Sequence, residues 1–402
     1  MPHKLFRMQK AGQAPRGAAR PVMLAIAGDS AAGKTTITRG LVEALGADRC
    51  TAVCVDDYHR YDRAERRDQP FTALHPDCNY LQIMEQHLQL LAMGQPVLKP
   101  VYDHHTGQLR RPVLVEPAEF VIIEGLLPLH TKLARACFDA TVYLDPPEEI
   151  RRSWKVKRDT AERGYTADAV LAELDQRESE SAAFIRPQRP FADIVIRFAP
   201  LPGRVVPAGT PLSAELLLRP TIRHPDLDGV VAQDVRDNGA RPAIHLKLAR
   251  DADGRPVDAL HVHGDAVEAD SEVVEKAIWS RLGAGSDPPT CLGRISDGQR
   301  NAPLAITQLL LLYHLLDAAR LSGLRARLRA RLRVRVRVRV RVRVRLRLWL
   351  RGWLRVGLGD RGPVEDLPGD RRHDDRDREA DPVRRGDAES RRDHAAEQGP
   401  HA

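Results

Sequence analysis

Residues Gly28-Asp29-Ser30-Ala31-Ala32-Gly33-Lys34-Thr35 follow the pattern G-x-x-x-x-G-K-[ST], and Thr36 continues the hydroxyl pair. The chemistry this spacing suits is the cradling of a polyphosphate: glycines free the backbone to turn successive N–H groups toward phosphate oxygens, and a helix starting near Thr35 adds its positive end. Lys34 is expected to reach the β- and γ-phosphates and the Thr35 hydroxyl to take Mg²⁺. A metal-side carboxylate is expected at the end of a neighbouring strand, and Glu124 follows four apolar residues in Phe120-Val-Ile-Ile-Glu124. Asp56 and Asp57 close a further apolar run, where ligands of open α/β sheets collect. A carboxylate there is suited to accept the proton of an attacking hydroxyl, although an Asp-Asp pair alone also reads as a solvated turn.

A fourth group is Lys155, Arg158, Asp159 and Arg163. The first three share a helical face at i, i+3 and i+4, and Arg163 lies about a turn further on. Such a cluster suits a second phosphate or the charge on a transferring group. On spacing alone a solvated, ion-paired helix face is the better reading.

The elements that must position these residues are legible as a strand–helix alternation. Val22 to Ala27 is a continuous apolar run ending at Gly28, as in a strand buried on both faces, and similar runs occupy 51–55, 120–123, 141–144 and 194–198. Helical spacing fills 35–45 and 80–93. The fold class expected is α/β: a doubly wound, mainly parallel sheet of P-loop NTPase type over residues 21–200. Turn-rich sequence with short β-like runs at 216–218, 243–248 and 260–263, then helices over 271–282 and 304–320, predicts an α+β extension over 201–322.

The ends differ in texture. Residues 1–20 form a basic leader without the apolar core of a secretory signal. Residues 321–402 hold 23 Lys and Arg against 13 Asp and Glu, leaving 40 against 42 elsewhere, so the net charge of +8 belongs to the tail and the body is near neutral. Beyond 323 an Arg-Val dipeptide repeats six times from Arg333 to Val344, and the last forty residues carry too little apolar surface to offset ordering entropy. Disorder is expected there. The repeat reads as an expanded or frame-shifted end in preference to a polyanion-binding or membrane-surface arm, which sequencing of gene and transcript distinguishes. The apolar stretch 304–316 is interrupted by Thr307, Gln308 and His314 and falls short of the ~20 residues of a span, so no membrane partner is expected. Nucleic acid is an expected partner only through the tail. Five scattered cysteines with no C-x-x-C pair point to a reducing, cytoplasmic setting.

Taken together, Gly28 to Thr36, Asp56-Asp-Tyr-His59 with Asp62-Arg63, Lys99-Pro-Val-Tyr102-Asp-His104, Ile123-Glu-Gly-Leu126 and Arg158-Asp-x-x-x-Arg-Gly-Tyr165 resemble the phosphoribulokinases, within the wider phosphoribulokinase and uridine kinase group, over about 22–320. The resemblance implies ATP and Mg²⁺ and a small sugar phosphate as acceptor, with transfer to the C1 hydroxyl of ribulose 5-phosphate; a homo-oligomer stays open. It implies that Asp56 is the base, that Lys34 and Arg158 stabilise the transferring group, and that Asp29 to Thr36 enclose the nucleotide phosphates. Glu124 and Asp159 would serve the metal side with Thr35. His59, Arg63, Tyr102, His104, Lys155, Arg158 and Arg163 would hold the acceptor. The light-regulated plant-like members have a P-loop cysteine that pairs with one just before Asp-Asp-Tyr-His; here Cys54 occupies the second place but Ala32 fills the first, so no thiol–disulfide control of the nucleotide site is expected. The nearest alternative is a uridine kinase. One of another class is a nucleotide-gated binding protein whose basic tail grips nucleic acid.

Overall fold

The computed structural model describes residues 20–200, 211–233, 242–283, 287–295 and 299–323. The basic leader before Arg20 and the Arg-Val tail lie outside them. All described residues fall within one compact unit, 1–334.

The order of elements is β1 (Val22–Gly28), α1 (Lys34–Leu45), β2 (Cys50–Cys54), α2 (Leu81–Ala92), β3 (Val97–Asp103), β4 (Gln108–Val115), β5 (Phe120–Gly125), α3 (Lys132–Arg135) and β6 (Ala140–Leu144). Then follow α4 (Glu148–Arg163), α5 (Ala167–Glu180), β7 (Ile194–Ala199), β8 (Ser213–Leu218), β9 (Ala232–Gln233), β10 (Ile244–Arg250), β11 (Pro256–Val262), α6 (Glu268–Ser280) and α7 (Ala302–Gly323). Nine strands form one sheet in the order β2-β5-β1-β6-β7-β8-β11-β10-β9. Its first five strands are parallel, and β8, β11 and β10 continue it antiparallel.

Every residue of β1 is buried, which is why its sequence lacks polar alternation. Val22, Leu24 and Ile26 pack with Ile37 and Leu41 of α1 and with the apolar side of α7, whereas Met23 packs with Met84 and Leu88 of α2. Helices therefore cover both faces, as in the doubly wound arrangement expected. The extension is not a layer apart: β8 pairs with β7 residue for residue from Ile194–Leu218 to Ala199–Ser213, so the sheet crosses the boundary drawn at residue 200 without a break in pairing.

Among the described residues α7 is the one helix long and apolar enough to cross a bilayer, yet 72% of its apolar window is buried against the sheet and α1. The polar residues that interrupt it are partnered within the protein. Thr307 donates to the Pro303 carbonyl, Gln308 Nε2 to the Thr36 carbonyl, and His314 Nε2 faces His224 Nδ1 at 3.2 Å.

The hairpin β3–β4 carries no periodic apolar signal, because all of β4 but Val115 is exposed. Pro100 is accommodated where the register shifts between Lys99 and Val101, an irregularity that spares it a ladder donor.

Candidate functional site

The phosphate-binding pattern sits between β1 and α1, at the carboxyl end of the central strand. Gly28 (φ 148°) and Gly33 (φ 98°) have positive φ, and a Cβ on Gly28 would lie 2.8 Å from the Leu144 carbonyl oxygen. Ala31 also has φ 62°, a sparsely populated state for a residue with a side chain, of the sort held at functional loops. Lys34 Nζ folds back onto the carbonyls of Gly28 (3.0 Å) and Asp29 (2.8 Å). Asp29 is fixed on three sides: its Oδ1 accepts from the Ser30 N–H and lies 3.5 Å from Arg151, and its Oδ2 accepts from the Ser181 hydroxyl.

Glu124 enters from β5, which pairs with both β1 and β2 and places it opposite Ile26 and Cys54. Its two carboxylate oxygens accept from Thr35 Oγ1 and Thr38 Oγ1, each at 3.2 Å. Burial raises its pKa despite Lys34 and the two hydroxyls. A hydroxyl beside a carboxylate is a hard oxygen donor set of the type Mg²⁺ selects.

Asp56 and Asp57 share a single turn of 3₁₀ helix, Val55–Tyr58, after β2. Their fates differ. Asp57 Oδ2 accepts from Lys99 Nζ and its Oδ1 from the Tyr102 N–H (2.9 Å), so it anchors the β3 strand. Asp56 has His104 Nε2 at 3.8 Å from Oδ2, and its Oδ1 is buried without a hydrogen-bond partner. Burial opposes ionisation of Asp56, but His59 and His104, where they are protonated, together with the permanent cations Lys34 and Arg177 hold its pKa below the usual carboxylate range. Cys54, just before, is a free thiol that burial pushes well up, and Ala32 in the loop offers it no sulfur partner.

His59 was expected as a basic acceptor contact, but it is not a cation at neutral pH. The residue is 3% exposed, and burial lowers its pKa. The Asn79 amide nitrogen donates to Ala73 and His75 carbonyls, so Asn79 Oδ1 must accept from His59 Nδ1 (2.7 Å), leaving Nε2 as a bare acceptor.

The buried face of α4 is made of charges: Arg151, Lys155 and Asp159, at i, i+4 and i+8. Asp159 is the hub. Lys155 Nζ donates to Oδ2 (2.6 Å), Arg158 Nε to Oδ1 (2.8 Å), and Arg163 lies 3.4 Å from Oδ1. This departs from two sequence expectations. A carboxylate shared by three cations has little capacity left for a metal ion, and Lys155, with its side chain 2% exposed and also bonded to Glu173, is committed to holding Asp159. Arg158 and Arg163 keep about a third of their side chains open.

An open cleft lies between α4, α5 and the β3–β4 hairpin. His59, Arg63, Tyr102, His104 and Arg163 line it, together with Arg66 and Arg177, which sequence reasoning missed. Arg63 donates to the His104 carbonyl (2.6 Å) and Arg66 to the Tyr102 hydroxyl (3.1 Å). Four guanidiniums face two carboxylates, Asp159 and Glu173, so the cleft is cationic. Arg151 and Ser181 were also missed. Arg151 could have been found by extending the Lys155–Asp159 face back by one turn; nothing local marks Ser181, Arg66 or Arg177.

A profile described as Phosphoribulokinase / Uridine kinase family matches residues 23–202. A uridine kinase from Deinococcus deserti is 30% identical over 209 residues, which is 50% of this chain and 97% of that protein. The chain belongs to the phosphoribulokinase/uridine kinase family. Other relatives are a phosphoribulokinase from Synechocystis sp., 42% identical over 181 residues (45% of this chain, 54% of that protein), and a chloroplastic phosphoribulokinase from Arabidopsis thaliana, 34% identical over 223 residues (50% and 56%). The chain thus spans about half the length of the phosphoribulokinases it matches. The family profile stops at 202, short of the 22–320 stretch assigned to the resemblance, and the motifs that carry the resemblance end at Tyr165.

Proposed function

We propose that the chain transfers the γ-phosphoryl group of ATP to the C1 hydroxyl of ribulose 5-phosphate, giving ribulose 1,5-bisphosphate. The observation that carries this reading is an ionised carboxylate with one unpartnered oxygen, Asp56 Oδ1, next to a cleft lined by four arginines. A free lone pair suits the proton of an attacking hydroxyl, and a cationic cleft suits an acceptor that already bears a phosphate.

In this reading the loop Gly28 to Thr36 holds the nucleotide phosphates with its N–H groups, and Lys34 exchanges its two carbonyl partners for phosphate oxygens. Thr35 and Glu124 would hold a magnesium ion, which would supply positive charge to offset that of the nucleotide phosphates. Arg63 and Arg163 bind the acceptor phosphate, His59 accepts a sugar hydroxyl at Nε2, and Tyr102 and His104 wall the sugar. Asp56 takes the C1 hydroxyl proton, and Arg158 with Lys34 stabilises charge on the transferring group. Asp159 orients Arg158 and Arg163. Ion pairing of this sort leaves the guanidinium planes pre-set for an incoming anion.

The 97% coverage of a uridine kinase keeps an uncharged nucleoside as the rival acceptor. The test is ADP release by the full chain with ribulose 5-phosphate, uridine and no acceptor in parallel. Turnover with the sugar phosphate is expected; turnover with uridine alone would replace the proposal by its rival.

A further inference from the structure

Cys54, Asp56 and His104 bring one sulfur, one carboxylate oxygen and one imidazole nitrogen within 4.8 Å of one another. We propose that this trio is an inhibitory site for a borderline-soft divalent cation, Zn²⁺ or Cd²⁺, which would seat on the carboxylate intended for proton transfer.

The donor set decides the cation class. Thiolate with imidazole selects Zn²⁺ and its heavier relatives over Mg²⁺, which prefers oxygen throughout. Zinc bonds of about 2.0–2.3 Å set ligand atoms about 3.3–3.8 Å apart in a tetrahedron. His104 Nε2 already lies 3.8 Å from Asp56 Oδ2, and the His104 side chain is 43% exposed, so it can close the remaining distance. Asp56 Oδ1 is buried and unpartnered, which leaves a lone pair facing no competing donor. Cys54 is a free thiol at the carboxyl end of β2, and with Ala32 in the phosphate loop it has no sulfur to pair with there. Binding breaks the S–H bond, sends the proton to solvent and forms a sulfur–metal bond, with no change of oxidation state. Three protein ligands leave the fourth position to water.

The inhibitory half of the proposal rests on Asp56 acting as the base; the binding half does not. Cd²⁺ added to the full chain is expected to give a one-equivalent step in thiolate-to-cadmium ultraviolet absorption. The step should persist in Cys291→Ser, vanish in Cys54→Ser and weaken ~10-fold or more in His104→Asn, the usual scale for disturbing a metal site. In the ADP-release assay with excess Mg²⁺, Zn²⁺ should inhibit the parent chain, while Cys54→Ser keeps its basal turnover and loses at least tenfold in zinc sensitivity. No step in the parent chain, or an equal step in Cys54→Ser, would overturn the site. A step without inhibition would overturn its overlap with the base. Should no acceptor support turnover, the absorption titration still decides the site by itself.

Discussion

The carboxylate of Asp57 is closed by the ammonium of Lys99, 42 residues further along on β3, with side chains 17% and 9% exposed. Its neighbour Asp56 has no such partner. Asp56→Asn is therefore expected to lower kcat by ~10²-fold or more, the scale of losing a general base, with the KM for ATP and the unfolding midpoint near the parent values. Asp57→Asn should do the reverse. It leaves a nearly buried ammonium unpaired and is expected to cost about 3 kcal/mol in urea unfolding, with a smaller loss of turnover. Steady-state kinetics and equilibrium unfolding of both variants check the assignment; a larger loss of kcat in Asp57→Asn would reverse it.

Asp159 and Lys155 predict a pH signature. Burial opposes ionisation of Asp159, but Arg158 and Lys155 depress its pKa below the ordinary 3.8. A depressed folded-state pKa contributes stability that is present above the unfolded value and is lost as pH falls through the folded one. Asp159→Asn should cost about 3–5 kcal/mol at neutral pH, and the gap to the parent chain should narrow only below about pH 4. Thermal unfolding between pH 7 and 3 measures both. A gap that shrinks near pH 6 would point to a different titrating group.

Ser181 sits at the start of a π-helical turn, Ser181–Ile185, and its hydroxyl is the donor to Asp29 of the phosphate loop. Glu180 beside it accepts from the N–H of Thr72, in the segment that leads to the cleft. Ser181→Ala removes a buried hydrogen bond to a charge, worth about 1.5–3 kcal/mol. The KM for ATP is expected to rise about tenfold or more while the acceptor KM stays within twofold. An unchanged nucleotide KM would reduce Ser181 to packing.

The seam between α1 and α7 is testable by a double-mutant cycle. A Cβ on Gly40 would lie 2.1 Å from Gln308 Nε2, and Gln308 both donates to the Thr36 carbonyl (3.1 Å) and accepts from the Gly293 N–H (2.8 Å). Gly40→Ala should cost about 1–3 kcal/mol by overpacking and Gln308→Ala a similar amount by unsatisfying buried groups. Together they should cost less than the sum, because truncating Gln308 vacates the space the new methyl needs. Additive losses would mean that the two residues do not share that space.

Much of the site was legible where chemistry is written in consecutive residues. The phosphate loop, Glu124 at a strand end and the apolar strands all depend on local backbone demands, namely positive φ at glycines, continuous burial and a helix start, and those demands leave their mark in neighbouring residue types. The β3–β4 hairpin left none, since its outer strand faces solvent and has no face to keep apolar. Arg66, Arg177 and Ser181 are just as silent, because each reaches the site from an element whose own sequence only needs to form a turn or a helix. Only the tertiary structure separates the surroundings of Asp56 and Asp57, two identical side chains in one turn: β3 delivers Lys99 and the Tyr102 amide to Asp57 and leaves a bare oxygen on Asp56. It also decided what Asp159 does, because the number of cations that converge on a carboxylate depends on how two helices pack and not on the spacing within one. Local sequence fixes which groups are available; long-range packing fixes which are already spoken for, and only an uncommitted group can act on a substrate.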